Sequence, residues 1–248
     1  SAQSSVQQER LTFVRLTGEQ YRNSIRDIFG ESIEVRGDAV SAGAREAGLT
    51  ALGDRRLTLS SSEVESFEVL ALDIASQVLE PGRRNTLIPC EPDSQNSVDD
   101  ECASEFISSV GLHLFRRPLA QDEIESFKAM ASAATNSLGN FYVGLQAALV
   151  GMMVSPDFLF RTERSSPNPE APGLRQLDAW SIASRLSFFL WNTTPSVSLL
   201  EAAESGELLF EQGLNKQVDR MMSSPRVEDG LRAFFSDMLA FDRFNTLD

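Results

Sequence analysis

Apolar residues recur along this chain at helical spacing. Tyr21, Ile25, Ile28 and Phe29 form one stripe, and Gly30 follows it as a stop. Thr17 with Gln20 three positions on has the spacing of a capping box, and Leu16 and Tyr21 are placed as a hydrophobic staple. A second helix starts at Ser60 or Ser62, carries Val64, Phe67, Ala71, Ile74 and Val78 on one face, and ends at Pro81-Gly82. A third follows Cys102, with Phe106, Val110 and Leu114 in line and Pro118 as the stop. A fourth spans about 121–134 with Ile124, Phe127 and Ala131 buried. A fifth spans about 141–154, with Leu145, Ala148, Leu149 and Met152 as its core face. Its Gly144, Ala147, Ala148 and Gly151 permit close helix contact.

Four more helices fill the remainder. Asp178 caps one that carries Trp180, Ile182, Leu186, Phe189 and Leu190 and runs to Trp191. Ser196 caps the next, which stops at Gly206. The following one holds Leu214, Val218, Met221 and Met222 before Pro225, and the last holds Val227, Leu231, Phe234, Phe235 and Met238. No strand-like alternation persists beyond a few residues, although LIPCEP could add a short extended piece. The pattern predicts an all-α fold of about nine helices, packed as one large or two adjoining helical lobes.

Breaks in the pattern suggest the organisation. Residues 31–59 are irregular and read as a long loop. SSPNPEAPG, 165–173, is the one linker-like stretch, so the expected regions are 1–164 and 174–248. AFDRFNTLD stops mid-pattern, and the natural chain is expected to continue past residue 248. The polar opening SAQSSVQQER suits a position just after a processed leader or a lipid-anchoring Cys. No apolar run approaches the ~20 residues that span a bilayer. Phe141 to Phe160 comes nearest and is broken by Gly144, Gly151, Ser155 and Pro156.

Cys90 and Cys102 are the two cysteines, and they flank the polar stretch EPDSQNSVDDE. A pair closing one such loop points to a disulfide and an oxidising compartment, periplasmic or extracellular. No third Cys or nearby His makes the pair a metal site, and Ala103 after Cys102 rules out the C-x-x-C-H of a c-type haem in this stretch.

Charge narrows the partners. With 22 basic and 36 acidic residues the chain carries −14, which disfavours nucleic acid and anionic membrane surfaces. Residues 86–115 contain no Lys or Arg, and Glu91, Asp93, Asp99, Asp100, Glu101 and Glu105 gather there. Oxygens of this kind suit Ca²⁺, but the EF-hand spacing is missing and a solvated acidic face is the plainer reading. No nucleotide-binding glycine motif, no G-x-S-x-G and no H-E-x-x-H occurs, and His113 is the single histidine. No catalytic residue or metal site can be named from these patterns. Arginines beside aromatics are the remaining signal: Arg161 in FLFRTE, Arg185 in SRLSFFLW, and Arg116 with Arg117 in HLFRRPL. An arginine in apolar surroundings can grip a carboxylate or phosphate, so Arg161 and Arg185 are the candidate anion- or substrate-binding residues. Pairing with an Asp or Glu is the alternative for both, and the helix end accounts for Arg116 and Arg117.

Three stretches carry a family resemblance. RLTGEQYRNSIRDIFG is similar to the opening of a bacterial domain of unknown function, through Arg15, Leu16, Tyr21, Asn23, Ile25, Arg26, Asp27 and Gly30; Gln20 stands where that family has Glu. FRRPLAQDEIESF resembles a second such domain, with Ala120 replacing a capping Thr. VSPDFLFRTE and SIASRLSFFLW resemble a third, continued by LLEAAESGEL, MMSSPR and FDRFNTLD. Together they resemble exported multidomain proteins of planctomycetes and myxobacteria, whose domains of unknown function are associated with planctomycete cytochrome c. The resemblance implies a Cys pair just before the F-R-R-P-L helix. It also implies a haem-attachment motif in a further C-terminal region of full-length relatives. His113 falls where relatives lack His, which weakens it as a catalytic residue.

The leading expectation is therefore the helical part of an exported, c-haem-linked redox or electron-transfer protein. This segment would hold no cofactor, and its partner would be another segment or chain bearing the haem. One alternative is a non-catalytic structural or interaction protein of the cell envelope. Another is a polysaccharide-acting enzyme or binder, for which Trp180 and Trp191 are the stacking candidates.

Overall fold

The computed structural model of the chain describes residues 10–36, 59–168 and 171–241. The loop expected over 31–59 lies mostly outside them. Among the described residues the protein is mostly helical, with eleven α-helices and a small three-stranded sheet. The all-α expectation is corrected by that sheet. Its strands are β1 (Arg10–Arg15), β2 (Phe160–Pro167) and β3 (Arg175–Leu177), in the order β1-β2-β3, with both pairings antiparallel. Residues 165–167, expected in a linker, are the end of β2 paired with β3.

The helices are α1 (Gly18–Phe29), α2 (Ser61–Val78), α3 (Pro81–Leu87), α4 (Asp100–Phe115), α5 (Gln121–Leu138), α6 (Phe141–Val154), α7 (Pro156–Leu159), α8 (Ala179–Leu190), α9 (Val197–Glu204), α10 (Glu211–Met222) and α11 (Val227–Leu239). The two beyond the expected nine are α3 and α7. Both begin at a proline, Pro81 and Pro156, whose fixed φ suits the first helical turn as well as it stops a preceding helix.

The chain divides into two compact units. One contains, of the described residues, 16–36 and 59–159. Its core is built on Tyr21, Ile25, Phe67, Ile74, Phe106, Leu114, Leu145, Leu149, Met152 and Phe158, all nearly inaccessible. Thr17 and Gln20 form the capping box of α1, and Ser60 and Glu63 that of α2. A Cβ added at Gly144 would collide with Thr135 Oγ1 and the Ala131 carbonyl, so α5 and α6 approach at backbone distance there. Val64, expected on the buried face of α2, stays 44% exposed in its first turn. In α5 Ala131 is buried, while Ile124 and Phe127 are only half-buried. Cys90 and Cys102 form a disulfide.

The other unit contains residues 10–15 and those from 160 onward. It holds the sheet and a smaller core of Ala179, Ala183, Trp191, Leu199, Ala202, Ala203, Leu208 and Met221. Of the residues expected on the packed face of α8, Trp180, Ile182, Leu186 and Leu190 are partly buried against this core. Ala179, Ser181, Ala183, Ser184, Ser187 and Phe188 are buried, whereas Phe189 is 70% exposed. Small residues win this face because neighbours pack close. Ser187 Oγ donates to the Thr194 carbonyl at 2.9 Å, and a Cβ at Gly230 of α11 would strike the Leu190 carbonyl. No helix among the described residues is long and apolar enough to cross a membrane.

Candidate functional site

The packing of α8 beside β2 brings near each other two residues that the sequence marks separately, Arg161 of β2 and Arg185 of α8. Side chains alternate along a strand, so Arg161 and Glu163 share one face of β2. Val14 and Thr12 of β1 stand opposite them in the register. The start of α8 is stitched to the same strand. The Arg164 N–H donates to Ser181 Oγ at 2.8 Å, the Asp178 N–H donates to the Arg164 carbonyl at 3.1 Å, and Asp178 caps the helix by accepting from the Ser181 N–H at 2.7 Å. Helical spacing then puts Ser181, Ser184, Arg185 and Phe188 on adjacent rows of α8.

The contacts reflect that placement. The Arg161 guanidinium carbon lies 5.3 Å from the Phe188 ring centroid, a cation–π contact. Arg185 Nε lies 3.8 Å from Glu163 Oε1, with the Arg185 side chain 63% exposed and that of Glu163 only 15%. Arg161 is half-buried, and its enclosed Nε has no hydrogen-bond partner; Ser184 Oγ, also enclosed, has none either. Burial pulls the Arg161 guanidinium below its ordinary pKa; Glu163 opposes this and Arg185 adds to it. Arg161, Glu163 and Arg185 are thus close enough to feel one another's charge. Glu163, Ser184 and Phe188 are not legible as site residues in the sequence. The Arg-x-Glu alternation of β2 and the four-residue step from Ser184 to Phe188 are the signals that point to them.

The other candidates take structural places. Arg116 is buried and donates to the Asp157 and Phe158 carbonyls. Arg117 grips Glu123 with two hydrogen bonds of 2.8 and 2.7 Å and reaches Asp157 Oδ1 at 2.9 Å, which raises its pKa. His113 is half-buried, and burial lowers its pKa. In the acidic stretch Asp99 caps α4, accepting from the Cys102 N–H at 2.9 Å and from the Asp93 N–H at 3.1 Å. Among the described residues no three of His, Cys, Asp and Glu gather as a metal site. Trp191 is buried, its indole N–H donating to the Met221 carbonyl at 3.1 Å, so it has no open face for a sugar; Trp180 packs against the same core.

Residues 102–163 match the family model PSD5, protein of unknown function (DUF1595), and residues 177–248 match PSD4, protein of unknown function (DUF1592). Both are known from planctomycete cytochrome c-associated proteins. No curated protein and no solved structure matches the chain. Arg161 and Glu163 close the PSD5 stretch, and Ser184, Arg185 and Phe188 open the PSD4 stretch. The arginine pair therefore draws one residue from each matched stretch. The residues do not fit a covalently bound haem: the two cysteines are joined to each other, and no C-x-x-C-H occurs.

Proposed function

We propose that this chain is the helical part of an exported protein that works beside a c-type haem, in redox or electron transfer, with the haem carried by another segment or chain. The observation that carries the reading is the paired PSD5 and PSD4 match, because both domains are known from cytochrome c-associated proteins. Export to the periplasm or cell exterior is part of the proposal. The disulfide and the lack of any membrane-crossing helix among the described residues are compatible with it. When bound, such a haem supplies one-electron chemistry. This chain's own residues supply a folded support and the exposed arginine of the 161/185 pair.

The test is a visible spectrum of the full-length native protein, purified with whatever remains bound to it, before and after reduction with dithionite. The expected result is the absorption of a c-type haem that sharpens on reduction and stays covalently attached after denaturation. A colourless preparation overturns the proposal.

A further inference from the structure

We propose that Arg161 and Arg185 form a binding site for the carboxylate group of a small organic acid, with Glu163 limiting the site to a single negative charge. The site is independent of any haem. Arg161 makes no ion pair or hydrogen bond among the described residues, and its enclosed Nε is without an acceptor. Drawing the Arg161 guanidinium out of water is costly, and the nearby Glu163, which it does not contact directly, and the Phe188 ring offset only part of that cost. Its planar fork of N–H donors is the complement of a carboxylate. The second arginine lies near enough to be repelled by the first, and an anion between them relieves that repulsion.

Charge selects the ligand. Two arginines and one glutamate leave a net charge of +1, which one carboxylate neutralises. A phosphate dianion would be repelled by Glu163 and by the −14 of the chain. Arg185 is exposed, so the acid is met first from the Arg185 side.

The experiment is a titration of the uniformly ¹⁵N-labelled chain with sodium acetate at constant ionic strength, following the arginine Nε–H resonances. Arg161→Gln assigns the Arg161 signal by its loss. The expected result is a saturable shift of that signal with a dissociation constant in the millimolar range. Glu163→Gln should tighten acetate binding several-fold, because the repelling charge is gone while both arginines stay. In Arg161→Gln, followed through the Arg185 signal, acetate should bind at least tenfold more weakly. Inorganic phosphate at pH 7.5 should bind more weakly than acetate. A shift that stays linear to high acetate overturns the site, as does Glu163→Gln with unchanged or weaker affinity. Phosphate binding tighter than acetate overturns the carboxylate assignment. Should Arg161→Gln fail to fold, Arg161→Lys assigns the signal by the same loss, and the Glu163→Gln comparison decides the outcome.

Discussion

Tyr21 is 1% exposed, with its ring against Phe158 at 5.2 Å and Phe67 at 5.8 Å. Its hydroxyl has no hydrogen-bond partner. The ring's apolar area stabilises the core, but the stranded O–H gives up hydration for nothing. Tyr21→Phe should therefore raise stability by about 1 kcal/mol, read as an increased urea midpoint at unchanged slope. A lower midpoint would mean that the hydroxyl has a partner. Burial also raises the phenol pKa above its ordinary 10. Above pH 10 the unfolded chain's tyrosine loses its proton while the folded one keeps it, so this contribution to stability falls as pH rises. Tyr21→Phe should flatten that alkaline loss relative to the parent chain.

Among the elements, α5 has a half-made start. The Glu123 carboxylate accepts from the Ala120 N–H at 2.7 Å, one arm of a capping box, but Ala120 has no acceptor for the return bond. The backbone at Ala120 is extended, φ −70° and ψ 156°, much like that of Ser60 at φ −72° and ψ 157°, which caps α2 through its side chain. Ala120→Thr should complete the box and stabilise the protein by about 1 kcal/mol, again seen in the urea midpoint. No gain would show that α5 is already held by Arg117, which grips the same Glu123. Caps such as Thr17–Gln20 are legible in sequence because their partners lie three residues apart. The sheet is not, because β1 finds β2 about 150 residues away and neither strand alternates long enough to stand out. The face of α8 is hidden in the sequence for a related reason. Size favours Phe189 for the core, yet Phe189 is 70% exposed while Ser181, Ser184 and Ser187 are buried, Ser187 held there by donating to the Thr194 carbonyl. The candidate site shares both difficulties. Arg161 and Arg185 stand out by their apolar neighbours, while Glu163 and Phe188 emerge only once the strand is paired and the helix is rotated correctly.

At the scale of the whole molecule, the disulfide acts on one of the two units. Cys90–Cys102 closes a stretch that also supplies the cap of α4 through Asp99 and an acceptor for the first N–H of α6, Gln95 to Phe141 at 2.8 Å. Cross-linking a loop of this size removes unfolded-state freedom worth about 3 kcal/mol. Reduction by dithiothreitol, or the Cys90→Ala, Cys102→Ala double variant, should lower stability by about that amount. Amide hydrogen exchange should locate the loss. Exchange should speed up at the first turns of α4 and α6, which depend on the loop for capping and anchoring, before it does in β1 and β2, which belong to the other unit. Loss of protection in all elements at once would instead mean that the two units unfold as one body. An unchanged urea midpoint after reduction would mean that packing around Ile88 and Phe141, both buried, already fixes the loop without its covalent tie.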